Sequence, residues 1–161
     1  MSSDGSTGVE LLFRGVPAWL RYSVEEKRGL KEFARTLSVR VAGGRGFTCL
    51  LTNDAALRDL NLRFLGHDYA TDVLSFPSHP TGLHLGELAI SLERAATQAV
   101  EFGHSIAEEV HTLTLHGLLH LVGMDHENDR GEMASAEGKW RVELGLPSTL
   151  IARGSAQVSH R

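Results

Sequence analysis

A single cysteine, Cys49, is all the sequence contains, which excludes an intramolecular disulfide and a cysteine-built zinc cage. Long apolar runs are missing as well. None approaches the roughly 20 residues of a membrane helix, and no membrane partner is expected. The first eight residues, MSSDGSTG, lack a basic start followed by an apolar core, so no secretory signal is expected. A cytoplasmic location is the simplest expectation. Repeats are absent, and so are low-complexity tracts outside the two ends. Nor is the chain basic overall: its net charge is −4 and its pI near 6.1, so global charge does not announce a nucleic-acid binder.

What is present is a chain of 161 residues, 42% hydrophobic and 22% charged, enough for one compact domain with its own core. Charge is unevenly placed. Residues 1–50 carry eight Lys/Arg against five Asp/Glu, a balance of +3, while the remainder carries eight against fifteen, a balance of −7. Arg14, Arg21, Arg28, Lys31, Arg35, Arg40 and Arg45 either form a local basic surface or are the solvated faces of amphipathic elements.

Apolar spacing and turn residues divide the chain. Val9 to Arg14 reads as a strand. Ser23 and Glu26 form a capping box that opens a helix over 24–38, with Leu30, Phe33, Ala34 and Leu37 at helical spacing. A second strand runs from Gly46 to Thr52, and Asn53 or Asp54 caps a helix ending at Gly66. Val73 to Phe76 and Leu83 to Ser91 read as two more strands around a His79–Pro80–Thr81–Gly82 turn. Helices follow over Leu92 to Phe102, from the Ser105/Glu108 capping box to Val122, and from Arg130 to Leu144. Strands come first and helices crowd the second half, which predicts a single α+β domain. The expected layout is a small mixed sheet packed on about five helices over residues 9–150, with flexible tails at 1–8 and 151–161.

Nine histidines are present, and three have a spacing with chemical meaning. His116 and His120 are four apart on a helix, so their side chains share a face, about 40° apart around the axis. Gly123 can end that helix in a left-handed conformation and let the chain return His126 to the same point. Three neutral nitrogen donors are the number a catalytic zinc uses while keeping a position open for water. His111 precedes His116 by five residues, about 140° around the helix, and cannot join the site from there. His104 precedes the helix cap; His67, His79 and His84 lie in or near loops, as possible substrate contacts or as ordinary exposed residues. The pattern also suggests the H-E-x-x-H metalloprotease signature, but the position of its proton-accepting Glu is Gly117 here. Three neutral ligands leave a doubly charged cation uncompensated, which suits an anionic phosphodiester better than a peptide.

His116 to His126, HGLLHLVGMDH, resembles the signature of the YbeY family of bacterial zinc endoribonucleases and rRNA maturation factors. A second family element, Thr71–Asp72–Val73–Leu74–Ser75–Phe76–Pro77, stands upstream, and Leu60–Asn61 and Leu85–Gly86–Glu87 fall where the family has its LN and LG-acid elements. The resemblance covers about Leu12 to Gly145. It implies a mixed sheet with the metal helix central, and one Zn²⁺ held by His116, His120 and His126. It also implies cleavage of single-stranded RNA, maturation of the 3′ end of 16S rRNA and ribosome quality control. Small ribosomal subunit components are the implied partners, and no DNA is expected. Three positions depart from the family pattern. Leu65 stands where an arginine is usual, with Arg63 two residues earlier and turned by about 200° on a helix. Ala70 replaces a proline, and Ala134–Ser135–Ala136–Glu137 replaces Phe-x-x-Gln.

Roles for the remaining candidates are expectations. Asp125, just before a ligand, is either an acceptor orienting an imidazole N–H or a turn residue. Asp72 and Glu87 are site carboxylates, or a turn cap and a solvent-facing strand residue. Arg63 is a phosphate contact or a solvated helix residue. Imidazole donors also suit Ni, Cu and Fe. Water attack at phosphorus and attack by a ribose 2′-OH both stay open. An alternative function is a ribosome-associated RNA- or protein-binding factor with a mainly structural metal, which Leu65 keeps in view.

Overall fold

The computed structural model describes residues 8–79, 81–125 and 128–147. The tails expected at the two ends lie, apart from Gly8, outside these residues. In chain order the elements are β1 (Glu10–Phe13), α1 (Val24–Arg40), β2 (Gly46–Thr52), α2 (Asp54–Leu65), β3 (Val73–Pro77), β4 (His84–Ser91), α3 (Leu92–Phe102), α4 (Ile106–Leu121) and α5 (Glu132–Leu144).

Local chemistry accounts for most of these boundaries. Both capping boxes form: the Ser23 hydroxyl accepts from the Glu26 backbone N–H while the Glu26 carboxylate accepts from the Ser23 N–H, and Ser105 and Glu108 repeat the exchange at α4. Each satisfies two backbone donors that a helix start leaves without partners. Asn53 caps α2 by accepting from the Ala56 N–H. Gly66 and Gly103 close α2 and α3 in the left-handed conformation. Helix α5 begins two residues later than its periodicity suggests, because Gly131 adopts φ 103° and Asp129 accepts from the Gly131 and Met133 N–H groups.

The sheet order is β1-β2-β4-β3. β1, β2 and β4 are parallel, and β3 runs antiparallel along the edge against β4, with Val73 opposite Ile90 and Pro77 opposite Gly86. A proline at the end of an edge strand costs no ladder bond on the paired side. One face of this mixed sheet receives α4, which also packs against α1, α3 and α5. Almost every α4 residue from Glu109 to Leu119 is buried, so the helix is apolar nearly all round and sits at the centre of the core. Gly117 is the residue that lets it lie close. A Cβ there would come within 2.8 Å of Leu88 Cδ2 and 3.2 Å of Val73 Cγ2, and the Gly117 carbonyl accepts from Ser75 Oγ at 3.1 Å. The position that holds a glutamate in H-E-x-x-H thus faces the sheet.

Candidate metal centre

Helix α4 delivers the two described histidines of the signature from its last two turns. His116 is fully buried, His120 is half-buried, and their rings stand 4.9 Å apart at 68°. After Leu121 the chain reverses sharply: the Gly123 N–H bonds to the His120 carbonyl and the Met124 N–H to the Leu119 carbonyl, each at 3.0 Å, with Gly123 at φ 101°. Asp125 and Asn128 are joined twice, backbone to backbone at 3.0 Å and Asn128 Nδ2 to Asp125 Oδ2 at 2.6 Å. His126, the third expected ligand, lies outside the described residues. A cavity of about 290 Å³ opens at this end of α4. Its walls are Leu65 from α2, Leu74, Ser75 and Pro77 from β3, and His120, Gly123, Met124 and Asp125.

The orientation of His116 is set from α5. Glu137 Oε2 lies 2.7 Å from His116 Nδ1, and both side chains are fully buried. Nδ1 is thus committed to the carboxylate, and the other ring nitrogen, Nε2, is the one that would meet a metal. A histidine pair at i, i+4 beside a cavity, with one imidazole held by a carboxylate, fits the donor set and outer support of a histidine-bound divalent cation. Zinc suits it, and imidazole donors alone do not discriminate it from nickel, copper or iron. By its sequence, Glu137 is a departure from the family's usual glutamine that alters either packing or a contact behind a ligand, without naming the histidine it meets. A signal was available: it lies four residues after Met133, also fully buried, so it is an acid on the inward face of a helix and needs a partner there.

The other candidates are distributed more widely. Asp125 lines the cavity with His120 and holds Asn128. Asp72 is buried at the start of β3, where its Oδ1 accepts from the Val73 N–H at 2.7 Å, and it is not among the cavity residues. Glu87 projects from the sheet face opposite α4, into an apolar groove with Leu12, Leu50, Phe64 and Phe76; its neighbour Leu88 faces Gly117. Arg63 is exposed and pairs with Asp59 at 2.9 Å, whereas Leu65 is the α2 residue in the cavity wall. Of the basic residues in the first third, Lys31 donates to the Val9 carbonyl, Arg40 pairs with Glu143 and Arg45 donates to the Ala42 carbonyl.

The remaining described histidines are engaged elsewhere. His67 meets the Tyr69 hydroxyl, His79 meets Thr81, and His84 meets Thr48. His104 and Glu109 form a buried pair to which Gln98 also donates. His111 stacks on Phe33, with centroids 4.3 Å apart and planes within 6°, and its Nε2 finds no hydrogen-bond partner among the described residues. Burial pushes its imidazole down from the ordinary 6.5 to about 4, partly opposed by Glu108. As pH falls, the unfolded imidazole takes up its proton from about 6.5, and the folded one only near 4. Stability is therefore lost across that window, by at most about 3 kcal/mol. His111→Phe keeps the stack and is expected to remove most of that loss, seen as a smaller difference between urea denaturation at pH 7 and pH 4.5. An unchanged difference would assign the acid sensitivity to other groups.

The fold and site together define a class: an α+β protein whose central helix presents a histidine pair beside an edge strand. The sequence model described as endoribonuclease YbeY matches residues 21–144, and the chain belongs to that family. Proteins named endoribonuclease YbeY are similar to it over most of its length. The one from Solibacter usitatus is 55% identical over 146 residues, covering 91% of this chain and 95% of the relative. The Koribacter versatilis protein is 50% identical over 119 residues, 73% of this chain and 78% of its own. The Helicobacter pylori protein is 42% identical over 105 residues, 65% and 75% respectively. The solution structure of a Thermotoga maritima protein shares the fold, at TM-score 0.50 and 24% identity over 86% of this chain and 96% of that one.

Proposed function

We propose that this chain is a zinc-dependent endoribonuclease that cleaves single-stranded RNA in maturing the 3′ end of 16S rRNA and in ribosome quality control. It would work in the cytoplasm with small-subunit components as partners; among the described residues no helix is long and apolar enough to cross a membrane. The observation that carries the reading is the paired imidazoles of His116 and His120, one fixed by Glu137, at the edge of an open cavity in a chain of this family. His116, His120 and His126 would hold the ion. Once bound, zinc supplies Lewis-acid stabilisation of the phosphodiester and activates water.

The chain's own residues provide the rest. Gly117 brings α4 against the sheet and so sets the depth of the histidines. Ser75 and Asp125 give the cavity polar edges, while Leu65, Leu74, Pro77 and Met124 give it apolar walls suited to a base or ribose. The usual arginine is thus replaced by an apolar contact. Arg63, held by Asp59, would meet RNA only by leaving that carboxylate. The binding-factor alternative draws no support from relatives that are named as endoribonucleases.

Cleavage of a single-stranded RNA by purified protein tests this. Activity should vanish on chelation and return with zinc. A 3′-hydroxyl product would point to water attack, a 2′,3′-cyclic phosphate to the 2′-OH. Folded protein carrying one zinc and cleaving nothing would end the nuclease reading.

A further inference from the structure

We propose that Glu137 is a positioning residue for the metal, holding His116 in the one neutral tautomer that offers Nε2 as a ligand. The inference rests on the metal-centre reading above and extends it to a residue outside the histidine signature. A carboxylate only accepts hydrogen bonds. Beside an ionised carboxylate, a neutral imidazole at 2.7 Å carries its proton on Nδ1 and keeps the lone pair on Nε2. Both groups are fully buried, so no water competes for either, and the contact is strong for the same reason. The acid arrives from α5, twenty-one residues further along the chain, which also ties the last helix to the ligand helix.

The same helix carries its own comparison. Near its start, His104 Nε2 meets Glu109 Oε1 at 2.5 Å, and Gln98 Nε2 donates to Glu109 Oε2 at 2.7 Å. This pair is nearly as buried as the other, His104 keeping 5% of its side chain exposed. It lies away from the cavity that His120 lines. There Glu109 ties α4 to Gln98 of α3 and to His104 in the turn between the helices; at His116 the contact sits beside another ring, 4.9 Å away. Two chemically alike pairs thus have separable tasks, packing and ligand orientation.

Glu137→Gln, the residue usual in the family, keeps an oxygen that accepts from Nδ1–H and is expected to bind zinc within a few-fold of wild type, whereas Glu137→Leu removes the acceptor, so the tautomer is no longer imposed. Zinc affinity of Glu137→Leu, read by competition with a chromogenic chelator at constant pH, is expected to fall about 10- to 100-fold. Stoichiometry and the melting temperature of the metal-free protein should stay near wild type. Glu109→Gln is expected to do the reverse, lowering the melting temperature and leaving zinc affinity alone. Long-range proton–nitrogen correlation in zinc-loaded wild type should show a protonated Nδ1 and a metal-bound Nε2 at His116, a check that needs no variant. Wild-type affinity in Glu137→Leu, or a metal-bound Nδ1, would overturn the proposal while leaving the nuclease reading in place. Wild-type protein that takes up no zinc would overturn both.

Discussion

His120→Ala is expected to lower cleavage of single-stranded RNA by about 10²–10³-fold or more, on the scale of removing a principal electrostatic stabiliser of the transition state. It should reach the level of chelated protein. The substitution would take one of the three proposed nitrogen donors from the site, and two imidazoles would not hold the ion against chelation or dilution. Folding should survive, because His120 is only half-buried and borders a cavity, so its loss opens no sealed void in the core. Circular dichroism and thermal melting near wild type, with RNA binding retained by anisotropy, would separate lost chemistry from lost structure. His116→Ala is a less clean probe. It removes the N–H that the buried Glu137 carboxylate accepts, which adds about 1–3 kcal/mol of destabilisation or more to the loss of metal. If His120→Ala cleaved at the wild-type rate, the histidines would not be the catalytic centre.

The second large effect is structural and falls on Gly86. A Cβ there would stand 2.2 Å from the Phe76 carbonyl oxygen, 2.9 Å from Pro77 Cα and 3.0 Å from the Ser78 nitrogen, and the residue has φ 146°. Every one of those atoms is backbone, so no side chain can rotate out of the way. Gly86→Ala would have to push β3 from β4 at the Pro77–Gly86 pair and also adopt a dihedral that favours glycine. Overpacking and strain together predict a loss of about 2–5 kcal/mol, or roughly 10 °C in melting temperature. Because Leu74, Ser75 and Pro77 of β3 wall the cavity, cleavage should suffer even below the melting temperature. A variant melting within two degrees of wild type would show that the strands accommodate the methyl.

Much of the architecture was legible because it is written in neighbouring residues. Capping boxes at Ser23 and Ser105 involve groups three positions apart, and the histidine pair at 116 and 120 follows from helical geometry alone. The family elements around Asp72 and Gly86 were equally visible as strings, though their physical reasons were not: Gly86 is required by a backbone on another strand, and Gly117 by Leu88 and Val73. The boundary of α5 shifted because Gly131 and Asp129 together form a turn that periodicity does not see.

The site shows where local reasoning ends. Sequence alternation says that Glu87 and Leu88 point to opposite sides of β4, but only the docking of α4 decides that Leu88 faces the histidines' helix and Glu87 the opposite groove. Likewise Arg63 and Leu65 were known to diverge on α2, and packing chose Leu65 for the cavity wall. The partner of His116 lay in a different helix, and nothing short of the α4–α5 contact could name it. By itself the sequence determined the helices to within a turn, the capping boxes of α1 and α4, the strand order along the chain and the spacing of the histidines. These depend on backbone hydrogen bonds and angles within a few residues. Only the tertiary structure decided which carboxylate supports which imidazole and which face carries the site, because the burial of apolar surface between distant elements selects those faces.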